Sequence, residues 1–227
     1  PTRDASVAVM GLGYVGLPLI RLLGSKGFRV IACDIDQTKI DSLNRGRSYI
    51  RSVPSSAIAK YLANKQLLAT SDFRNLASAD AIFVCVPTPQ TVEGKPDVSA
   101  IRQTAKAIGA TLRRGQLIIL ESTSYPGTTR EVMLPELERR GLKCGLDFFL
   151  AFSPEREDPG NKEFTMEQIP KVVGGIDALS RRAAAALYGT RDLHAPGDGL
   201  WSTRYDPSPP HVPIGSARVH GNGGDLT

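Results

Sequence analysis

Long apolar runs are missing from this 227-residue chain. No stretch approaches the ~20 residues that a membrane-spanning helix needs, so no membrane span is expected. The opening Pro1-Thr2-Arg3-Asp4 leads straight into an apolar strand, so no targeting segment is expected either, and the address that follows is the cytoplasm. Cysteine is scarce. Cys33, Cys85 and Cys144 form no CxxC pair and no metal spacing, and an odd number argues against a disulfide framework. Cys33 and Cys85 lie within apolar runs and read as packed core thiols. The only histidines, His194, His211 and His220, fall in the last stretch at spacings of 17 and 9, which fit no metal site. Charge of one sign is not in great excess either: the net +5 is spread along helices, with no basic stripe interleaved with aromatics. That argues against nucleic-acid binding, while a mildly positive balance suits an anionic ligand.

What is present begins at once. Val7-Ala8-Val9-Met10 empties into Gly11-Leu12-Gly13-Tyr14-Val15-Gly16, three glycines at the G-x-G-x-x-G spacing. An amphipathic segment from Leu17 to Lys26 then leads to a second apolar run, Val30-Ile31-Ala32-Cys33, which ends in Asp34. This predicts a strand, a tight turn, a helix and a second parallel strand. Gly11 permits the turn, Gly13 lets a diphosphate approach the backbone, and Gly16 lets the helix pack on the strand, with free N–H groups at the helix start. Asp34 lies 23 positions after Gly11, where an acid accepts hydrogen bonds from ribose hydroxyls. A carboxylate there repels a 2′-phosphate, so NAD is favoured over NADP. Glycine-rich turns also occur without a ligand, but here strand, helix and acid agree.

Further along, Asp36 to Asn44 reads as a short helix. It carries Lys39, which is placed to reach the adenosine end and equally fits a solvated lysine. A helix over Ser55 to Asn64, a strand over Leu67 to Thr70, a helical turn over Asp72 to Ala77 and a buried strand over Ala81 to Val86 follow. Pro87-Thr88-Pro89 ends that strand and places Thr88 at a carboxyl end, where ligands of doubly wound sheets sit. Asp97 or Ser99 caps a helix to Leu112, and a strand from Gln116 to Leu120 opens into Glu121-Ser122-Thr123-Ser124-Tyr125-Pro126-Gly127-Thr128-Thr129. Thr128 is expected to cap a helix running to Arg140. The strand Phe148 to Phe152 delivers Ser153-Pro154-Glu155-Arg156-Glu157, Lys171 to Gly175 reads as a last strand, and Asp177 to Tyr188 as a helix. Strands alternating with helices predict a doubly wound α/β domain with a mostly parallel sheet and helices on both faces. The domain is bounded at residues 1–189. Residues 190–227 hold five of the 16 prolines and six of the 22 glycines, with no apolar period, so an irregular tail is expected there.

Taken in order, Gly11-Leu12-Gly13-Tyr14-Val15-Gly16-Leu17-Pro18, Asp34-Ile35-Asp36, Val86-Pro87-Thr88-Pro89, Lys95-Pro96-Asp97, the run Glu121 to Thr129, Ser153-Pro154-Glu155-Arg156 with Asp158-Pro159-Gly160, and Lys171-Val172-Val173-Gly174-Gly175 form one set. The set resembles the UDP-glucose/GDP-mannose dehydrogenase family, most closely its UDP-N-acetyl-hexosamine 6-dehydrogenase branch, over about residues 6 to 189. The resemblance implies a Rossmann-like fold and oxidation of the C6 hydroxyl of a UDP-sugar to a uronic acid, with two hydrides passed to NAD. A cysteine thiohemiacetal and thioester lie between. It implies that Gly11, Gly13, Tyr14, Val15, Gly16, Asp34, Lys39, Thr88, Ser122 and Thr123 bind the cofactor. Thr123 and Glu155 would be catalytic, Glu155 as the carboxylate of the thioester-hydrolysis step, and Glu155, Arg156 and Glu157 would line the sugar-nucleotide pocket.

Two departures from the family's pattern stand out. UDP-glucose dehydrogenases carry a second Glu four residues after the first in this loop. Here that position is Pro159, which favours the N-acetyl-hexosamine branch. After Tyr188 the family continues through a strand, a long helix with a catalytic Lys and Asn, through which members assemble into oligomers, and a domain with the nucleophilic Cys; none is found here. Residues 190–227 therefore look like a non-homologous tail from a truncated or frameshifted reading, and the chain like a cofactor domain that is inactive alone. The alternatives are a non-catalytic NAD-binding module and a different Rossmann dehydrogenase, such as one acting on 3-hydroxyacids.

Overall fold

The computed structural model describes residues 5–92, 94–154 and 172–189. In chain order the elements are β1 (Ser6–Met10), α1 (Gly16–Ser25), β2 (Arg29–Cys33), α2 (Gln37–Asn44), α3 (Ser55–Ala63), β3 (Leu67–Thr70), a 3₁₀ turn (Phe73–Ser78) and β4 (Ala81–Val84). They continue with α4 (Ser99–Thr111), β5 (Leu117–Leu120), a π-helical turn (Thr129–Met133), α5 (Leu134–Glu138), β6 (Phe149–Phe152), β7 (Gly174–Gly175) and α6 (Ala178–Gly189).

The strands form one sheet in the order β3-β2-β1-β4-β5-β6-β7. Every pairing is parallel except the last, where β7 runs antiparallel to β6. The central strands are apolar throughout because both faces are covered. Val7, Val9, Ala81, Phe83, Leu117 and Ile119 face α1, α3 and α6, whereas Ala8, Met10, Ile82, Val84, Ile118 and Leu120 face the 3₁₀ turn, α4 and α5. Such a layer arrangement is the doubly wound α/β fold that the alternation of elements predicts. Strand order reverses between β1 and β4, and the crevice of an open α/β sheet lies beyond the carboxyl ends at that switch point.

Several boundaries move. β4 ends at Val84 rather than Val86, and the expected strand from Lys171 contracts to Gly174–Gly175. α4 begins at Ser99, whose amide donates to the Asp97 carboxylate at 2.8 Å. The helix expected from Thr128 to Arg140 is present as one continuous run over 128–138, but it is wound as a π turn at Thr129–Met133, and the cause is Pro135. A proline within α5 has no N–H to give to the preceding turn, and the chain absorbs this as a π turn in which Leu134 N–H bonds Thr129 O. Thr128 does not cap it. Its hydroxyl donates back to Tyr125 O at 2.8 Å.

Candidate dinucleotide site

The crevice is built from the residues that follow four neighbouring strands. Gly11 follows β1 with φ +90, and a Cβ there would come within 2.6 Å of Cys85 O, so the turn needs glycine on both counts. A Cβ on Gly16 would run into the Gly11 carbonyl. Gly13 is different: a Cβ there meets nothing within 4 Å. The first and third glycines thus let protein pack on protein, and the second faces open space.

Helix α1 starts beyond this turn with no side-chain cap and no acid in its first turn. The backbone bonds of the turn do not use the amides of Gly13, Tyr14 and Val15 as donors. Unbonded amides at the positive end of a helix, beside open space, make an anion site. Tyr14 is exposed, as is Ile35 after β2.

Asp34, 7% exposed, follows β2. Its Oδ2 accepts from Leu12 N at 2.7 Å and from Lys39 Nζ at 3.0 Å, while Oδ1 accepts from Asp36 N at 2.9 Å. The acid is therefore fixed in position and partly neutralised before any ligand arrives. Lys39 is half-buried and ion-paired to Asp34, so its ammonium is held at the crevice instead of extending into solvent.

The other end of the crevice gathers Thr88, Ser122 and Thr123 at the carboxyl ends of β4 and β5. Thr88 Oγ1 donates to Thr123 O, joining the two segments, and Thr123 is itself exposed. Ser122 turns inward. Its hydroxyl lies 2.7 Å from Val86 O and 3.2 Å from Val84 O, stitching β5 to β4, and the residue is buried. Glu155, Arg156 and Glu157 lie outside the described residues, as do the tail 190–227 and its three histidines.

Two groups escaped the sequence. Tyr49, in the segment after α2, donates its hydroxyl to Leu12 O at 2.8 Å. Glu121, directly after β5, is fully buried and accepts from the Tyr188 hydroxyl on α6. Burial, followed by the Glu121 charge, pushes the Tyr188 phenol well above its ordinary value, so it remains a donor. The Tyr188 ring also meets Phe83 edge-on, with centroids 6.2 Å apart.

The thiols are not poised for attack. Burial, helped by Asp72 and Asp34, pushes Cys33 up to about 12. Cys85 is buried, and burial raises half-buried Cys144, whose Sγ lies 3.7 Å from both Asp177 Oδ2 and Ser180 Oγ. A thiolate is the nucleophilic form, and these surroundings disfavour it. Among the described residues no group of three His, Cys, Asp or Glu is placed to hold a metal ion, and no helix is long and apolar enough to cross a membrane.

Residues 5–192 match the model of the UDP-glucose/GDP-mannose dehydrogenase family, NAD binding domain. The chain belongs to this family. Among its relatives, the UDP-N-acetyl-D-glucosamine 6-dehydrogenase of Pseudomonas aeruginosa is 39% identical over 187 residues, covering 82% of this chain and 43% of that protein. Protein CapL of Staphylococcus aureus is 39% identical over 188 residues, with the same shares. Among solved structures, the NDP-N-acetyl-D-galactosaminuronic acid dehydrogenase of Methanosarcina mazei Go1 superposes with a TM-score of 0.76 at 32% identity, over 84% of this chain and 42% of that one. The chain thus spans less than half the length of these relatives. The part it matches is the family's NAD-binding domain, and NAD is the cofactor of this domain. The residues fit it: free amides and open space for a diphosphate, then a fixed acid for a ribose diol.

Proposed function

We propose that this chain is the cofactor-binding part of a nucleotide-sugar 6-dehydrogenase that oxidises the C6 hydroxyl of a UDP-N-acetyl-hexosamine to the uronic acid. The observation that carries the reading is the pairing of open space at Gly13 with an Asp34 already oriented by the Leu12 amide. In this reading the amides of Gly13, Tyr14 and Val15 hold the diphosphate, and Asp34 with Lys39 holds the adenosine ribose. Thr88 and Thr123 face the far end of the dinucleotide. Bound there, NAD supplies the hydride acceptor. Glu155, Arg156 and Glu157 are assigned to the sugar-nucleotide side by the motif they sit in. The names of the relatives support an N-acetylated hexosamine as substrate, as does Pro159 in place of a second glutamate.

The domain assignment is residues 1–189 for cofactor binding, with 190–227 outside it. Oxidation through a thioester needs a thiolate, and neither Cys33, Cys85 nor Cys144 is placed to be one. The 227-residue chain on its own is therefore expected to bind NAD without turning over a UDP-sugar. Calorimetric titration with NAD, NADP, UDP-N-acetylglucosamine and UDP-glucose tests this, alongside an assay for NADH. NAD should bind at least about tenfold more tightly than NADP, the equivalent of about 1.4 kcal/mol. No heat with NAD sinks the reading, and NADH formed with a UDP-sugar overturns the second half of it. The alternative, a non-catalytic NAD-binding module, gains if NAD binds and neither UDP-sugar does.

A further inference from the structure

We infer that Tyr49 is a positioning residue for the cofactor's diphosphate, acting through the peptide that joins Leu12 to Gly13. The inference rests on the reading of the turn as a diphosphate site. Leu12 is gripped at both ends: its N–H by Asp34 Oδ2 at 2.7 Å and its C=O by Tyr49 Oη at 2.8 Å. The C=O of Leu12 and the N–H of Gly13 belong to one planar unit, and the described chain contains no cis peptide. In a trans peptide the two groups point in opposite directions, so whatever fixes the carbonyl also aims the amide. Tyr49 therefore directs the Gly13 N–H away from itself. Gly13 is the residue at which an added Cβ would meet nothing.

The hydrogen bond has a second effect. Drawing electron density from a carbonyl makes the N–H of the same peptide a better donor. The phenol suits the task because it stays protonated: burial, with Asp34 and Asp36 nearby, pushes it well above the ordinary tyrosine value. The ring is 39% exposed, so its placement is not explained by core packing alone. No periodicity would reveal it, because the contact joins residues 37 apart in the chain.

The test is Tyr49→Phe in the full chain, titrated with NAD, ADP-ribose and adenosine. The ring is kept and only the hydroxyl is lost. Affinity for NAD and ADP-ribose, which carry the diphosphate, should fall by about 3- to 10-fold, the range for losing one neutral hydrogen bond. Adenosine, which lacks phosphate, should bind as before, and the melting temperature should hold. An equal loss for adenosine would mean that Tyr49 touches the nucleoside, and no loss for NAD would mean that the turn holds its shape unaided; either overturns the inference and leaves the cofactor reading standing. Failure of the unsubstituted chain to bind NAD or ADP-ribose removes both.

Discussion

Two acids occupy the same place in the fold and do opposite things. Asp34 directly follows β2 and Glu121 directly follows β5, each at the carboxyl end of a parallel strand. Asp34 is bonded to main-chain amides and to the lysine of an adjacent helix, at the mouth of the crevice. Glu121 is sealed away from solvent and bonded to the phenol of Tyr188, a residue 67 positions later. The partners explain the difference. Two amide donors and Lys39 fix the Asp34 carboxylate in place at the mouth of the crevice. Glu121 is buried, its carboxylate bonded to Tyr188 and its amide to Val84 O, an environment that serves cohesion. Strand-end position therefore marks a candidate for ligand contact, and the partners decide whether it is one.

The largest expected effect breaks the ligand side of this contrast. Asp34→Ala removes the proposed ribose acceptor and the anchor of the Leu12 amide together. Two hydrogen bonds to a charged group are lost, so NAD affinity should fall about 100-fold, the equivalent of roughly 3 kcal/mol, by calorimetry. NADP should gain little, because the turn that meets the diphosphate has lost its tie as well. Unchanged NAD affinity would place Asp34 with Glu121 as a purely structural acid.

The second test sharpens the structural side. Tyr188→Phe keeps the edge-on contact with Phe83 and removes the donor to buried Glu121. Depriving a buried acceptor of this partner should lower unfolding stability by about 1–3 kcal/mol in urea titration. NAD affinity of the folded protein should not change. A loss of NAD binding without a loss of stability would move Glu121 to the ligand side.

Asp34 was legible in the sequence because its signal is local: an acid closing a strand at a fixed distance from a glycine turn. Gly11, Gly13 and Gly16 were legible for the same reason, and so was the layer order of the sheet, since unbroken apolar strands between helices admit few arrangements. Tyr49 and Tyr188 were not, because each works through one long-range contact that leaves no periodic trace. Ser122 shows a third case. Its motif marks a crevice residue, but whether its hydroxyl turns outward or toward Val86 O depends on how closely β4 and β5 approach. The π turn in the helix after Thr128 was readable in principle, for Pro135 stands in plain view inside that helix.

The smallest effect concerns the opposite end of the sheet, where a third acid stands before a strand instead of after one. Asp80, just ahead of β4, accepts from Ser6 N at 2.9 Å and pairs with Arg113 at 2.8 Å, tying the starts of β1 and β5 to β4. Burial pushes its carboxyl up, but the Ser6 amide and the Arg113 guanidinium together pull it below its ordinary 3.8. The folded form therefore releases its proton more readily than the unfolded chain, and the stability this confers is present above pH 3.8 and lost as pH falls further. Asp36, Asp72 and Asp97 are lowered too, so acid destabilisation is shared among them. Asp80→Asn isolates one share. At pH 7 the variant should be less stable than the parent by about 1 kcal/mol or less, since the pair is half-exposed and screened by solvent. At pH 2.5, where the native carboxyl is increasingly protonated, the two urea midpoints should draw together. A gap that stays constant between the two pH values would show that Asp80 acts through shape and not through charge.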